Sequence, residues 1–122
     1  MKITNIALSC LSLLVVFSIS CSNKPSENLI KTAITRSLEE RVPVSWAGSL
    51  LGGNNAKIES IDILQIGKYS EQRKYWPIKA RVKGFCDANL LVRTERKEFD
   101  RTGDFKLYQD DYGNWKAVLF EL

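Results

Sequence analysis

One stretch in the middle of the chain, Tyr75 to Cys86, constrains the fold more than any other. Its even-numbered positions are apolar or small, and several of its odd-numbered positions are basic. The first set is Trp76, Ile78, Ala80, Val82, Gly84 and Cys86, and the second is Lys79, Arg81 and Lys83. Because successive side chains of a strand point to opposite faces, this alternation predicts a half-buried strand of an antiparallel sheet with one basic face. The pattern predicts a fold and no activity.

The first twenty residues have the features of an export signal. Lys2 is followed by an apolar run over residues 6–19, which is shorter than the roughly 20 apolar residues that a membrane span needs. Small residues, Ser18 and Ser20, then lead to Cys21. This end resembles the signal of bacterial lipoproteins, whose lipobox ends in a cysteine that is lipidated and becomes the first residue of the mature protein. The resemblance implies that residues 1–20 are removed and that Cys21 carries at least a diacylglyceryl group.

Two other interpretations of this end stay open. The serines before Cys21 also suit ordinary signal peptidase, which would release a soluble secreted protein, and an uncleaved anchor is the third alternative. The lipoprotein resemblance implies a protein of the cell envelope that is held to a membrane through Cys21. In that family an Asp after the cysteine often signals retention in the inner membrane. Ser22 stands there instead, so the outer membrane is favoured in a cell that has one.

The rest of the chain is expected to be one small domain. Residues 21–25 form a short tether, and residues 26–122 are expected to form a single α+β domain with one hydrophobic core. If Cys21 carries lipid, Cys86 is left alone and no intramolecular disulfide is available. Its place in the apolar set predicts a small core residue, and a reactive thiol or an intermolecular bridge is the alternative.

Helical patterns come first in this domain. Apolar residues at three- and four-residue steps from Leu29 to Leu38, behind an N-cap at Ser26, predict an amphipathic helix that Pro43 stops. A short second helix is expected within residues 44–51, with Trp46, Leu50 and Leu51 on one side, before a turn over residues 52–55. Trp46 is expected to close one end of the core, and the alternative is that it lines a ligand pocket.

Strand patterns follow. Residues 57–69 alternate with one change of phase near Leu64, which predicts a strand with a bulge. A polar turn over residues 70–74 leads to the central strand, in which Pro77 is expected at an edge or a bulge. Residues 90–92 are expected to form a brief strand and residues 93–103 a charged connection. A final hairpin is expected to turn over residues 110–114.

An amphipathic helix at the N-terminus of the domain, followed by curved antiparallel strands, predicts an α+β fold with the helix packed on one face of the sheet. This outline resembles the cystatin-like and NTF2-like architecture of many small bacterial envelope proteins. The resemblance covers most of the chain after the signal and is one of pattern, with no diagnostic motif. For NTF2-like folds it implies a pocket between helix and sheet, but fold alone does not determine function.

The residue types in the chain exclude several kinds of chemistry. There is no histidine, which removes the commonest general base and metal ligand. One remaining cysteine does not make a thiolate zinc site, and no phosphate-binding glycine motif occurs. Asp110 and Asp111 are adjacent, but a calcium site needs a longer run of oxygen ligands, so they are assigned to a turn. We therefore expect no catalytic residue, no metal and no cofactor.

The positive charge is concentrated in the middle of the chain, where residues 68–106 carry eleven basic and six acidic side chains. Lys79, Arg81 and Lys83, which we call the basic stripe, are a candidate site for an anionic envelope component such as a lipid headgroup or an acidic glycan. A solvated sheet face is the alternative. Aromatic residues between basic ones can also stack on nucleic-acid bases, but an export signal argues against that partner.

Two functions remain. The first is a non-enzymatic, lipid-anchored envelope protein that binds another envelope protein or serves as an accessory subunit. The second is an exported small-ligand binder or minor enzyme that uses a pocket between helix and sheet. A helix–sheet interface filled by large side chains would favour the first, and a cavity with convergent polar groups would favour the second.

Overall fold

A computed structural model describes residues 24–120. Within them, two helices precede four strands, and the strands form one antiparallel sheet in chain order. The elements are α1 (Glu27–Glu40), α2 (Val44–Ala47), β1 (Gly53–Ile66), β2 (Trp76–Asn89), β3 (Thr94–Gln109) and β4 (Trp115–Leu119). The α+β class is confirmed. However, the main helix is not N-terminal in the chain, since it begins at Glu27. The signal, Cys21 and the tether up to residue 23 lie outside the described residues.

Helix α1 forms where its pattern predicts. The hydroxyl oxygen of Ser26 accepts a hydrogen bond from the backbone N–H of Leu29 at 3.3 Å, which satisfies one of the free donors of the first turn. Glu27 adds a negative charge at the positive end of the helix dipole. At the other end Arg41 is already extended, two residues before Pro43.

The face of the sheet that α1 covers is closely filled. Ile30, Ile34 and Leu38 of the helix are at most 1% exposed. They share one core with the inward-facing side chains of the strands, among them Ile78, Ala80, Val82, Phe105 and Leu107. Every buried side-chain nitrogen or oxygen in the part of the chain described has a hydrogen-bond partner. The helix–sheet interface is therefore an apolar core without unpaired polar groups.

Strand β1 begins earlier and is more irregular than its sequence pattern indicates. The expected turn over residues 52–55 is wrong for Gly53, Asn54 and Asn55, which belong to the strand. Gly53 exchanges two backbone hydrogen bonds with Val42, and a side chain on it would come within 2.9 Å of the Cys86 sulfur. The close approach explains why a glycine occupies the first position of this strand. The predicted bulge near Leu64 is confirmed, and it is one of three register breaks between β1 and β2.

Strand β3 is the largest difference between expectation and structure. The brief strand over residues 90–92 and the charged connection over residues 93–103 are both wrong. The apolar residues form the hairpin turn, and the charged residues form the first part of β3, so that every residue of β2 has a partner in β3. Side chains on both sides of this segment are exposed, Phe99 excepted. The period-two signal that depends on one buried face is therefore absent.

The end of the sheet near Trp76 agrees with the expectation for Pro77. The register between β1 and β2 ends at Ile66 and Ile78. The carbonyl of Pro77 accepts a hydrogen bond from the N–H of Gly67 at 2.7 Å, so the missing N–H of the proline lies on the side where β1 ends. The last hairpin is also confirmed, and a carboxylate oxygen of Asp110 accepts hydrogen bonds from two backbone N–H groups in its turn.

The pairing of β3 changes along its length. Its last residues, Phe105 to Gln109, pair with β4, and Phe105 to Leu107 pair with β2 as well. Within the described residues, the part from Thr94 to Gly103 pairs with β2 alone, so this part forms an edge of the sheet. Strand β4 is the edge beside the rest of β3, and the opposite edge is β1, the strand with the register breaks.

Candidate functional site

Among the described residues, a cleft with a volume of about 900 Å³ lies where α1 begins. Four aromatic side chains and two lysines line it, together with Pro25, Ser26, Leu29 and Gln109, and within residues 24–120 no carboxylate does. We call it the aromatic cleft, and its aromatic and basic residues are Tyr69, Trp76, Tyr108, Trp115, Lys24 and Lys74. It lies at one end of the sheet and is distinct from the filled helix–sheet interface.

Several elements bring these side chains together. Trp76 begins β2 and Trp115 begins β4, so both indoles lie at the same end of the sheet. The rings of Tyr69 and Trp76 are 5.3 Å apart between centroids, within the range of an aromatic pair. Between them in sequence, a turn closed by a bridge from Ser70 to Tyr75 carries Lys74 in the left-handed region, with φ of 57°. That backbone conformation is uncommon for a lysine.

The basic stripe lies on the opposite, outer face of the sheet, among carboxylates. Arg81 donates two hydrogen bonds to Asp100, at 2.8 and 2.7 Å, in the fork geometry that guanidinium and carboxylate groups favour. This hydrogen bonding lowers the pKa of Asp100 below its usual value and raises that of Arg81. Lys79 stands opposite Asp104 in the register.

The structure thus shows the basic stripe as part of a mixed-charge face. Asp62 stands opposite Arg81 on the β1 side, so this arginine has an acidic neighbour on each neighbouring strand. An incoming anion would have to compete with Asp100 for the guanidinium. Anion binding by Lys79, Arg81 and Lys83 stays a prediction.

Trp46 belongs mainly to the core. It is 8% exposed and packs against the rings of Phe99 and Phe105, with centroid distances of 5.6 and 6.2 Å. It also covers Gly103, where a side chain would come within 2.9 Å of the indole. One edge of Trp46 lines a cleft of about 460 Å³, which is the extent of its contact with a pocket. The helix α2 that carries it is shorter than expected.

A cluster of exposed aliphatic side chains was not identified from the sequence. Leu50 and Leu51 are 91% and 53% exposed and do not pack beside Trp46 as expected. Leu91 and Val92, in the β2–β3 turn, are 92% and 94% exposed. We call these four residues the apolar tip. The run of three apolar residues at 90–92 was the available signal, but it was assigned to a strand.

Hydrogen bonds hold the two loops of the apolar tip together. The hydroxyl of Ser49 donates to the carbonyl of Asn89, and the N–H of Asn89 donates to the carbonyl of Gly52 at 2.9 Å. Gly52 has φ of 72°, a conformation that glycine adopts without steric cost. The exposed side chains are thus carried on a fixed backbone.

Cys86 is a core residue, as expected from its pattern. It is 1% exposed, and burial, followed by the nearby Asp87 charge, raises the pKa of its thiol. Both effects disfavour the thiolate that would make it reactive. Among the residues described, no group of three or more histidine, cysteine, aspartate or glutamate side chains is placed to hold a metal ion.

Neither helix of the described part is long and apolar enough to cross a membrane. No family model matches the chain, and no curated protein or solved structure is significantly similar to it.

Proposed function

We propose that the protein is anchored in the cell envelope by lipid on Cys21 and binds a partner protein through the apolar tip, without catalysing a reaction. The observation that carries the partner proposal is the apolar tip, which consists of four exposed aliphatic residues on two hydrogen-bonded loops. Exposed aliphatic side chains grouped on two neighbouring loops are typical of an interaction site. The lipid anchor rests on the N-terminal resemblance, and the outer membrane is the proposed location in a cell that has one.

The position of the apolar tip favours a protein partner over the anchoring membrane. The chain enters the domain at Lys24, beside the aromatic cleft, where Trp76 begins β2. The apolar tip follows Asn89 at the other end of that strand. At about 3.3 Å per residue, this strand spans on the order of 45 Å. A chain anchored at Cys21 therefore presents the tip away from the membrane that holds it.

The charges beside the apolar tip indicate the chemistry of the partner's binding surface. Arg93 follows Val92 directly and is exposed. The side chain of Arg41 extends toward Gly52, at the base of the other loop. An apolar groove with acidic residues at its rim would complement this surface, because charges at a rim steer association while buried apolar side chains hold the complex.

We also propose that the domain is of the cystatin-like or NTF2-like type. One helix lying across a curved four-stranded antiparallel sheet supports this assignment. A non-enzymatic role is supported by the absence of histidine from the sequence and by the apolar, filled interface between α1 and the sheet. The alternative of a small-ligand binder is favoured by one observation, the aromatic cleft.

The test of the partner proposal compares two exposed hairpin turns. Leu91→Asp/Val92→Asp removes half of the apolar tip, and Tyr112→Asp makes a matched change at the β3–β4 turn, where Tyr112 is 90% exposed. Each protein is crosslinked in intact envelopes and the crosslinked species are identified. We expect a species that is present with wild type and Tyr112→Asp and lost with the tip variant. An identical set of species for all three proteins would contradict the proposal.

The anchor is tested separately. Mass spectrometry of the mature protein is expected to show residue 21 as its first residue, carrying a diacylglyceryl group. Cys21→Ala is expected to abolish the modification and to move the protein out of the membrane fraction. An unmodified Cys21, or a chain that still begins at Met1, would contradict the anchor and leave the partner experiment unaffected.

A further inference from the structure

The residues around the aromatic cleft combine two kinds of chemistry that the partner-binding function does not use. Four aromatic side chains, of which Tyr69 is exposed and the other three are partly buried, give it flat apolar walls. Lys24 and Lys74 give it positive charge, and no carboxylate among the residues that the structure describes lines it to offset them. Its volume of about 900 Å³ lies within the size range of ligand clefts.

We propose that the aromatic cleft binds an acidic saccharide, with sugar rings lying on the aromatic side chains and a carboxylate group meeting Lys24 and Lys74. The C–H face of a pyranose ring is apolar and flat, and it covers an indole or phenol face well. A carboxylate fits beside two ammonium groups because charge-assisted hydrogen bonds are the stronger ones. This inference is independent of the apolar tip, which lies at the other end of the sheet.

The remaining polar groups of the cleft suit hydroxyl-rich ligands. The side-chain nitrogen of Gln109 donates to the carbonyl of Gly113 at 3.2 Å, which leaves its amide oxygen to accept a hydrogen bond. The hydroxyl of Ser26 accepts from Leu29 and keeps its own proton to donate. The cleft is open along one side. An open, partly polar cleft fits a short saccharide chain better than a flat aromatic acid, which gains most from a closed apolar pocket.

The backbone conformation of Lys74 is a second observation that supports a ligand site in the aromatic cleft. Its φ of 57° is unfavourable for a residue with a side chain, and glycine or asparagine adopts it more readily. The turn holds this conformation through the hydrogen bond from the N–H of Lys74 to the carbonyl of Ser70, at 2.7 Å. A strained residue that also lines a cleft is typical of a functional site, where position matters more than stability.

The experiment uses the full-length processed protein purified in a neutral detergent. Tryptophan fluorescence follows the titration, because Trp76 and Trp115 line the cleft. The probe is tetragalacturonate, and the comparisons are maltotetraose, which has rings without charge, and tripolyphosphate, which has charge without rings. We expect saturable quenching by tetragalacturonate alone, which weakens as salt concentration rises.

Variants separate binding from folding. Lys74→Asn removes the amine and relieves the backbone, so we expect an unchanged or higher Tm together with about tenfold weaker binding. Lys74→Gly, measured beside it, is expected to behave in the same way. Lys57→Asn, at an exposed lysine of β1 that belongs neither to the cleft nor to the basic stripe, is the matched control and is expected to bind as wild type does. Tyr69→Leu is expected to weaken binding through the loss of its ring.

Four outcomes would overturn the proposal. Equal quenching by maltotetraose would show that binding does not need a charged ligand. Equal quenching by tripolyphosphate would show that binding does not need sugar rings. Unchanged affinity in both Lys74 variants would place the saccharide elsewhere. Binding to anionic phospholipid vesicles without binding to tetragalacturonate would assign the cleft to the membrane surface instead.

Discussion

The two faces of the sheet are made from alternate residues of the same strands, yet they differ in burial and in charge. On the inner face Ile78 and Val82 are at most 1% exposed and pack in the core under α1. On the outer face Lys79 and Lys83 are exposed, and Arg81 pairs with a carboxylate across the strands. Backbone and register are shared, so the difference comes from side chains and solvent alone.

The inner face is expected to contribute more to the stability of the domain than the outer face. A methyl group removed from the inner face leaves space that the surrounding core fills only in part. A charge removed from the outer face is replaced by water, and the ion pairs there are screened. Substitutions on the two faces are therefore expected to differ in size and in their response to salt and pH.

The largest effect is expected from Ile34→Ala on α1. Ile34 is fully buried, so we expect a loss of about 2–5 kcal/mol in the free energy of unfolding. Arg36→Ala, on the exposed side of the same helix, is the matched control and is expected to change stability little. Chemical denaturation measures both. A midpoint that Ile34→Ala leaves unchanged would mean that α1 is not docked on the inner face.

A smaller loss is expected from Gly84→Ala in β2. The added carbon would lie 2.3 Å from the backbone carbonyl oxygen of Lys57, beside a register break in β1. Backbone must move to relieve such a contact, and we expect a cost of about 1–3 kcal/mol. Thr102→Ala, on the outer face of β3, is the control. Equal thermal stability of both variants would show that the two strands do not approach each other closely at Gly84.

A still smaller effect is expected from Arg81→Glu on the outer face. It places a third carboxylate beside Asp62 and Asp100, so we expect a lower Tm that recovers partly in high salt. Adding Asp100→Arg restores a pair of opposite charges and is expected to restore the Tm at low salt. A Tm that falls equally at all salt concentrations would show that Arg81 contributes by packing instead of charge.

The pH dependence of this pair has a defined sign. Because Arg81 lowers the pKa of Asp100, the stabilisation is present above the unfolded pKa of about 3.9 and is lost as pH falls below it. Wild type and Arg81→Gln are therefore expected to differ in Tm near neutral pH and to converge in acid. A difference that persists in acid would contradict the pairing.

The smallest effect is expected at Cys86, and only in alkali. Burial raises the pKa of this thiol, so the folded state keeps its proton where the unfolded state loses it. Its contribution is complete below the unfolded pKa and is lost as pH rises toward the folded pKa. Wild type is expected to lose stability relative to Cys86→Ala as pH rises above about 9. Parallel pH profiles for the two proteins would show a solvated thiol.

The sequence predicts well the elements that bury one face. Helix α1 and strand β2 are found as expected, because apolar residues recur with the period of each structure. The first part of β3 is missed because both of its faces are charged and its place in the sheet depends on pairing with β2. Gly53 to Asn55 are missed because a glycine–asparagine run favours a turn unless a partner strand approaches closely.

The candidate sites are less predictable than the fold. The aromatic cleft joins residues from the tether to β4, and the alternation of their strands puts Trp76 and Trp115 in the phase of core residues. Both are only partly buried, because they begin their strands at the end of the sheet. The apolar tip depends on two loops that meet through backbone hydrogen bonds, and local patterns carry no information about such a meeting.

A shared membrane anchor would place many copies of the chain close together. The edges formed by β1 and by the first part of β3 would then lie within reach of other copies. Unpaired backbone groups at an edge are a template for adding a strand from another molecule, which is how fibrils grow. The part of β3 from Thr94 to Gly103 carries charges of both signs along its length, and these would have to be stripped of water before a second strand could pair. Strand β1 is broken three times in register, so it presents no flat edge. The charges on this part of β3 and the register breaks of β1 therefore work against strand addition at these two edges.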